Sequence, residues 1–241
     1  MELPNADDFE ASALGTKDYW DTVYERENVN FKEIGDIGEI WFGEDSVERI
    51  IEWTLDHIEE KSTSVLDIGC GNGHLLLALG EEGYQDLTGI DYSPSAITLA
   101  KSVAIEKDQA NIHYYTVDFL KNEEDNDSWR KKENNKLYQL ILDKGTFDAI
   151  SLHPDQEVAK QEGRLGPRDI YVRSVYHLIN KSNGILLITS CNWTMDELIL
   201  HFKSYFKYQS HVRYPTFSFG GQTGSKICTV AFEPLSTPLE E

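Results

Sequence analysis

The chain has 241 residues and a net charge of −20 at neutral pH, with 40% of its residues hydrophobic and 11% aromatic, which is enough for one large α/β domain with a sizeable core. That charge argues against a nucleic-acid partner, because a phosphate backbone is repelled and the basic cluster Arg130-Lys131-Lys132 sits among acids. A basic protein partner is instead steered in, although acidity also serves solubility alone.

Residues 1–13 read as a disordered acidic tail. They have neither the basic-then-apolar layout of a secretory signal nor the Arg-rich composition of a mitochondrial presequence. Residues 14–60 are expected to form a helical cap, with one helix over 22–27 and another over 45–60. In the second, Val47, Ile50, Ile51, Leu55 and Ile58 recur at helical spacing, and Asp45 or Ser46 is placed to cap it. Tyr19, Trp20, Trp41 and Phe42 precede the first strand. They either pack this segment on the domain or form a lid and an aromatic slot, since ammonium groups are attracted to aromatic faces.

The run Val65-Leu66-Asp67-Ile68-Gly69-Cys70-Gly71-Asn72-Gly73 organises the chain. It predicts a buried strand that breaks into a glycine turn and opens a helix at His74. Free N–H groups at a helix start are donors for ligand oxygens, and glycine lets a ligand approach the main chain. Dinucleotide sites want G-x-G-x-x-G, whereas Gly69, Gly71 and Gly73 fall as G-x-G-x-G. Asp67 would repel a pyrophosphate and attract a cation or an amino group. D-x-G-x-G-x-G resembles the first motif of S-adenosylmethionine-dependent methyltransferases with a seven-stranded Rossmann-like fold. That cofactor carries a sulfonium and an ammonium but no phosphate.

A second strand over 86–91 ends in Asp91, followed by Tyr92. The acid either accepts from ribose hydroxyls or caps the helix expected over 94–106. A third strand over 112–117 leads to Asp118 and Phe119. Residues 121–136 are charged and Asn-rich, and read as a flexible surface insertion. A fourth strand over 138–142 runs into Asp143-Lys144-Gly145-Thr146. A helix over 168–179 and a fifth strand over 184–189 lead to Ser190-Cys191-Asn192-Trp193-Thr194, where Asn192 or Thr194 could cap a helix to about residue 206. Segments 211–214 and 227–232 predict a closing antiparallel pair, and 234–241 a loose tail. Cys70, Cys191 and Cys228 form no C-x-x-C pair, so neither a disulfide framework nor a metal site is expected. With no bilayer-length apolar run, no membrane contact and a cytoplasmic location are expected.

Alternating strands and helices predict a mostly parallel, doubly wound α/β sheet, with ligand outside the carboxyl ends of its strands. Asp67, Asp91, Asp118, Asp143 and Asn192 all fall at such ends. The set G-T-K-x-Y-W-D at 15–21, W-F-G at 41–43, L-D-I-G-C-G-N-G at 66–73, L-D-K-G-T-F-D-A-I-S-L at 142–152 and S-C-N-W-T at 190–194 closely resembles one family. It is similar to the protein-lysine methyltransferases of translation elongation factor 1-alpha, the methyltransferase-like 10 type, called elongation factor methyltransferase 4 in yeasts.

The resemblance implies one seven-stranded domain over 61–233 and a monomer acting on a basic protein. S-adenosylmethionine, leaving as S-adenosylhomocysteine, would be held by Trp41, Asp67, Gly69, Gly71, Asn72, Gly73, Asp91, Tyr92, Asp118, Phe119 and Asp143. Asp118 would take the adenine amine, Asp143 would orient the amine or the cofactor's methionine end, and Tyr19, Trp20, Asn192 and Trp193 would face the substrate. In such a site a neutral lysine amine attacks the methyl carbon. Its deprotonation costs about 4 kcal/mol near neutral pH, offset by a nearby positive charge and apolar walls. The glycine motif alone leaves open a small-molecule N- or O-methyltransferase and a non-catalytic scaffold. Its spacing disfavours a nicotinamide dehydrogenase.

Overall fold

A computed structural model describes residues 10–121, 129–133, 135–215, 217–219, 222–224 and 226–239. Most of the expected acidic tail, residues 122–128 and 134 of the expected insertion, and residues 240–241 lie outside the described residues. The strands are Ser64–Ile68 (β1), Asp86–Asp91 (β2), His113–Thr116 (β3), Leu140–Lys144 (β4), Ile185–Ser190 (β5), Phe206–Val212 (β6), Phe217–Phe219 (β7), Gln222–Gly224 (β8) and Cys228–Pro234 (β9). Seven of them form one sheet in the order β3-β2-β1-β4-β5-β9-β6. From β3 to β5 all neighbours are parallel, and β9 runs antiparallel to both β5 and β6. This is the doubly wound α/β sheet with the closing antiparallel pair that the sequence predicts.

The helices are α1 (Lys17–Ile34), α2 (Glu44–His57), α3 (His74–Glu81), α4 (Pro94–Glu106), a short α5 (129–132), α6 (Thr146–Ser151), α7 (Asp155–Glu162), α8 (Pro167–Leu178) and α9 (Met195–Phe202). They cover both faces of the sheet, as buried parallel strands require. Val65 packs on one face with Val47, Leu76 and Leu99. Leu66 and Ile68 pack on the other with Phe147, Val175 and Phe202. Asp67 therefore shares the face of Val65 at the strand's carboxyl end.

Several boundaries differ from expectation. Helix α1 is far longer than 22–27, because its polar residues are used: the Asn28 amide donates to the carbonyls of Tyr24 and Ser95 and pins α1 to α4. Helix α2 starts after Gly43, in place of a cap at Asp45 or Ser46, because the Ser46 hydroxyl donates back to the Phe42 carbonyl. Helix α9, capped by Thr194 in a box with Glu197, stops at Phe202 because β6 claims Phe206. In the expected insertion, Trp129 opens α5 and is only 5% exposed, packed near Tyr115. The expected loose tail is tied down through Leu239: Leu235 and Leu239 donate to the carbonyls of Tyr205 and Ser204.

Candidate active site

The carboxyl ends of β1, β2 and β4 open into a cleft of about 1120 Å³, its open mouth included. The β1–α3 turn forms its floor. Gly71 has a left-handed φ of 54°, and a Cβ there would stand 2.5 Å from the Tyr24 hydroxyl. Its N–H donates to Asp91 Oδ2 at 3.1 Å, and the Ser93 N–H donates to Oδ1 at 2.9 Å. Asp91 therefore braces the glycine turn and the approach to α4 while lining the cleft. Asn72 Oδ1 accepts from the His74 N–H, and its amide donates to the Ile37 carbonyl.

Of the expected cofactor residues, Trp41, Asp67, Gly69, Gly71 and Asn72 line this cleft. So do Asp91, Tyr92, Asp118 and Phe119, and of the expected substrate residues Trp20 joins them. Tyr19 and Asn192 do not line it. Gly73 is turned away, and its bare Cα makes room for the Tyr114 hydroxyl, so its role is packing.

Trp193 is 3% exposed, tilted against Phe147 and edge-on to His201, and donates to the Ser151 hydroxyl; it belongs to the core and not to a substrate slot. Asp143 is likewise a correction. It is 1% exposed and accepts from the N–H groups of Thr146 and Phe147 and from the Tyr171 hydroxyl, so its oxygens serve the start of α6 instead of facing the cleft.

The sequence reading missed Tyr24, Glu39, His74, Lys144 and His153 in the cleft wall. Tyr24 carried a signal, one helical turn beyond Trp20, with which its ring stacks at 6.1 Å, and Lys144 stood inside the D-K-G-T motif without a role assigned to it. Trp20 meets Trp41 edge-on at 4.9 Å, so the cap presents an aromatic wall to the cleft.

Burial dominates the electrostatics. It pushes the Asp67 carboxyl up to about 8, helped by Asp143 and Asp91 and opposed by Lys144. Asp143 is pushed up to about 7 and Asp91 to about 6, in both cases by burial first. Burial lowers the Lys144 ammonium, against Asp67 and Asp143. Unfolded carboxyls lose their protons near pH 4, at about 3.9 for Asp. The folded protein keeps Asp91 protonated to about 6 and Asp143 to about 7, while Asp67 and Lys144 shift in opposite directions as a pair. It thus binds more protons than the unfolded chain, and stability falls as pH rises through that window. The ligand-free protein is expected to melt at a lower temperature at about pH 8.5 than at about pH 5.5, and scanning calorimetry checks this.

A mostly parallel sheet of this order with an antiparallel closing pair, an acid before a glycine turn and a second acid closing the next strand defines a Rossmann-like methyltransferase, and a family model described as "Methyltransferase domain" matches residues 59–229. Magnesium protoporphyrin IX methyltransferase from Synechocystis PCC 6803, solved with bound S-adenosylmethionine, has a similar fold, with a TM-score of 0.60 at 14% identity over 93% of this chain and 99% of that one. EEF1A lysine methyltransferase 2 from Homo sapiens is 43% identical, covering 96% of this chain and 91% of its own length. Protein-lysine N-methyltransferase efm4 from Schizosaccharomyces pombe is 44% identical over 92% of this chain and 94% of its own. The chain belongs to this family of protein-lysine methyltransferases.

Proposed function

We infer that the protein transfers methyl groups from S-adenosylmethionine to a lysine side chain of translation elongation factor 1-alpha. The observation that carries this is the likeness to the human relative over 96% of the chain, cap included. The donor set fits the cofactor. A buried carboxylate at Asp67 suits an ammonium, Asp91 suits ribose hydroxyls, and bare glycine main chain admits a close ligand where a Cβ at Gly71 would crowd Tyr24. Asp118 and Phe119 are assigned to the adenine. When bound, S-adenosylmethionine supplies an electrophilic methyl group and leaves as S-adenosylhomocysteine.

The chain's own contribution is placement and exclusion of water. Residues 14–60 act as the cap, and Trp20, Tyr24 and Trp41 form a wall beside which an ammonium is held and then desolvated. Desolvation favours the neutral amine, and holding it in line supplies most of the acceleration. The net charge of −20 steers a basic protein toward the surface. Among the described residues no helix is long and apolar enough to cross a membrane. We assign the protein to the cytoplasm as a monomer.

The test incubates the purified protein with radiolabelled S-adenosylmethionine, purified elongation factor 1-alpha and, separately, a cell lysate. Label on the elongation factor, at one lysine located by mass spectrometry, is expected. Label confined to small molecules overturns the substrate. Absence of transfer to either preparation, despite cofactor binding, overturns the activity.

A further inference from the structure

Two short motifs adjoin the cleft, Trp41-Phe42-Gly43 in the cap and Lys144-Gly145 at the end of β4. The structure puts them against one another. The Lys144 ammonium donates to the Trp41 carbonyl at 3.0 Å and lies 6.0 Å from the centroid of the Phe42 ring. Phe42 itself takes a left-handed φ of 66°, which a bulky residue adopts only when its surroundings hold it there. The next residue on β4's side completes the fit: a Cβ on Gly145 would stand 2.9 Å from the Phe42 ring.

Segment 36–42 is bounded by Gly35 and Gly43, with φ of 72° and 73° and open space where each Cβ would be. Beyond the Lys144 contact, Asn72 donates to its Ile37 carbonyl, and His74 meets Glu44 at 3.1 Å just past it. The segment presents Glu39, Ile40 and Trp41 to the cleft. It is therefore a strap between two glycines held at left-handed φ, fastened near its start to the glycine turn and at its end to β4.

We propose that Lys144 is a positioning residue that, with Gly145, latches Trp41-Phe42 and so holds the strap closed over the Asp67 side of the cleft. The latch explains why a lysine stands among the carboxyls of Asp67 and Asp143 with its ammonium spent on a carbonyl from the cap. Gly145 is already required by its left-handed φ of 89° at the start of α6, and its bare Cα leaves the space that the Phe42 ring fills. This rests on the cofactor reading of the cleft for its consequence, but not for the latch itself.

The test measures amide hydrogen exchange over residues 36–43 in the full-length, cofactor-free protein, and calorimetric affinity for S-adenosylmethionine. Lys144→Met keeps the apolar stem and removes the donor, and Lys144→Arg keeps a donor. In the Met variant, exchange over 36–43 is expected to rise about tenfold or more while that of β1 stays unchanged, and cofactor affinity is expected to fall about tenfold, the scale of one charged hydrogen bond. The Arg variant is expected to recover most of both. Should the Met variant not fold, Phe42→Ala cuts the same latch from the strap side and is expected to loosen the same residues. Unchanged exchange over 36–43 in the folded variants, or an Arg variant no better than Met, overturns the latch. A wild-type protein that binds no S-adenosylmethionine overturns the cofactor reading and leaves the exchange result to decide the latch.

Discussion

Asp67→Asn is expected to lower the affinity for S-adenosylmethionine by about two orders of magnitude or more, and Asp67→Ala to abolish measurable binding. Removing one partner of a buried charge pair costs about 2–5 kcal/mol, a factor of roughly 30 to several thousand. The carboxyl is 3% exposed and pushed up to about 8 in the ligand-free protein. Burial thus favours the protonated carboxyl in the empty site, and taking up an ammonium releases that proton. Affinity is expected to rise from about pH 6 toward 7.5, and to fall again above about 8 as a ligand α-amino group loses its own proton. Calorimetry in two buffers of different ionisation enthalpy reads both the affinity and the proton released. The Asn variant is expected to lose the pH slope as well as the affinity. Misfolding is not the expected cause, because removing a carboxyl that burial keeps protonated relieves the empty site at alkaline pH. Near-native binding by Asp67→Ala overturns the assignment.

What the sequence made legible is local. The acid-and-glycine run of β1 and its turn, the acid closing β2, and the Asp118-Phe119 pair all announce themselves within a few residues, because strand, turn and helix start are written consecutively. Lys144 was not legible as a latch: its carbonyl partner lies 103 positions earlier in the chain. Nothing in a one-dimensional pattern pairs W-F with K-G. Trp193 misled for the opposite reason. S-C-N-W-T sits at a strand end, where ligand residues gather, yet the Ser190 hydroxyl turns back to accept the Trp193 N–H and the indole is drawn into the core. Trp129 was hidden by its charged neighbours, whose composition reads as solvated surface although one aromatic anchors the turn. Helix boundaries failed where a side chain rather than periodicity sets them, as with the Asn28 bonds that carry α1 across its polar stretch.

Asp143→Asn separates a structural carboxylate from a catalytic one. Asp143 Oδ1 accepts from the Thr146 N–H at 2.8 Å, and Oδ2 accepts from the Phe147 N–H at 3.0 Å and from the Tyr171 hydroxyl. These are donors at the start of α6, and the hydroxyl of a fully buried tyrosine on α8. An asparagine supplies one acceptor oxygen where two are used, and its NH₂ group must face a donor. Stranding buried donors costs about 1–3 kcal/mol each, so the variant is expected to lose about 2–4 kcal/mol of stability and about 10 °C in melting temperature. Tyr171→Phe is expected to cost less by itself, about 1 kcal/mol, and the double variant is expected to fall short of the summed losses because both remove the same bond. Well below the melting temperature of each variant, methyl transfer is expected to persist within about tenfold of wild type, because the carboxylate shapes the turn and does not line the cleft. The contrary pattern, an unchanged melting temperature with transfer abolished, would return Asp143 to the chemistry. The competing demands on the site are then divided between two neighbouring strand ends: the acid of β1 is left facing the cleft for a ligand, and the acid of β4 is consumed in holding the helix that carries Thr146 and Ile150 into its wall.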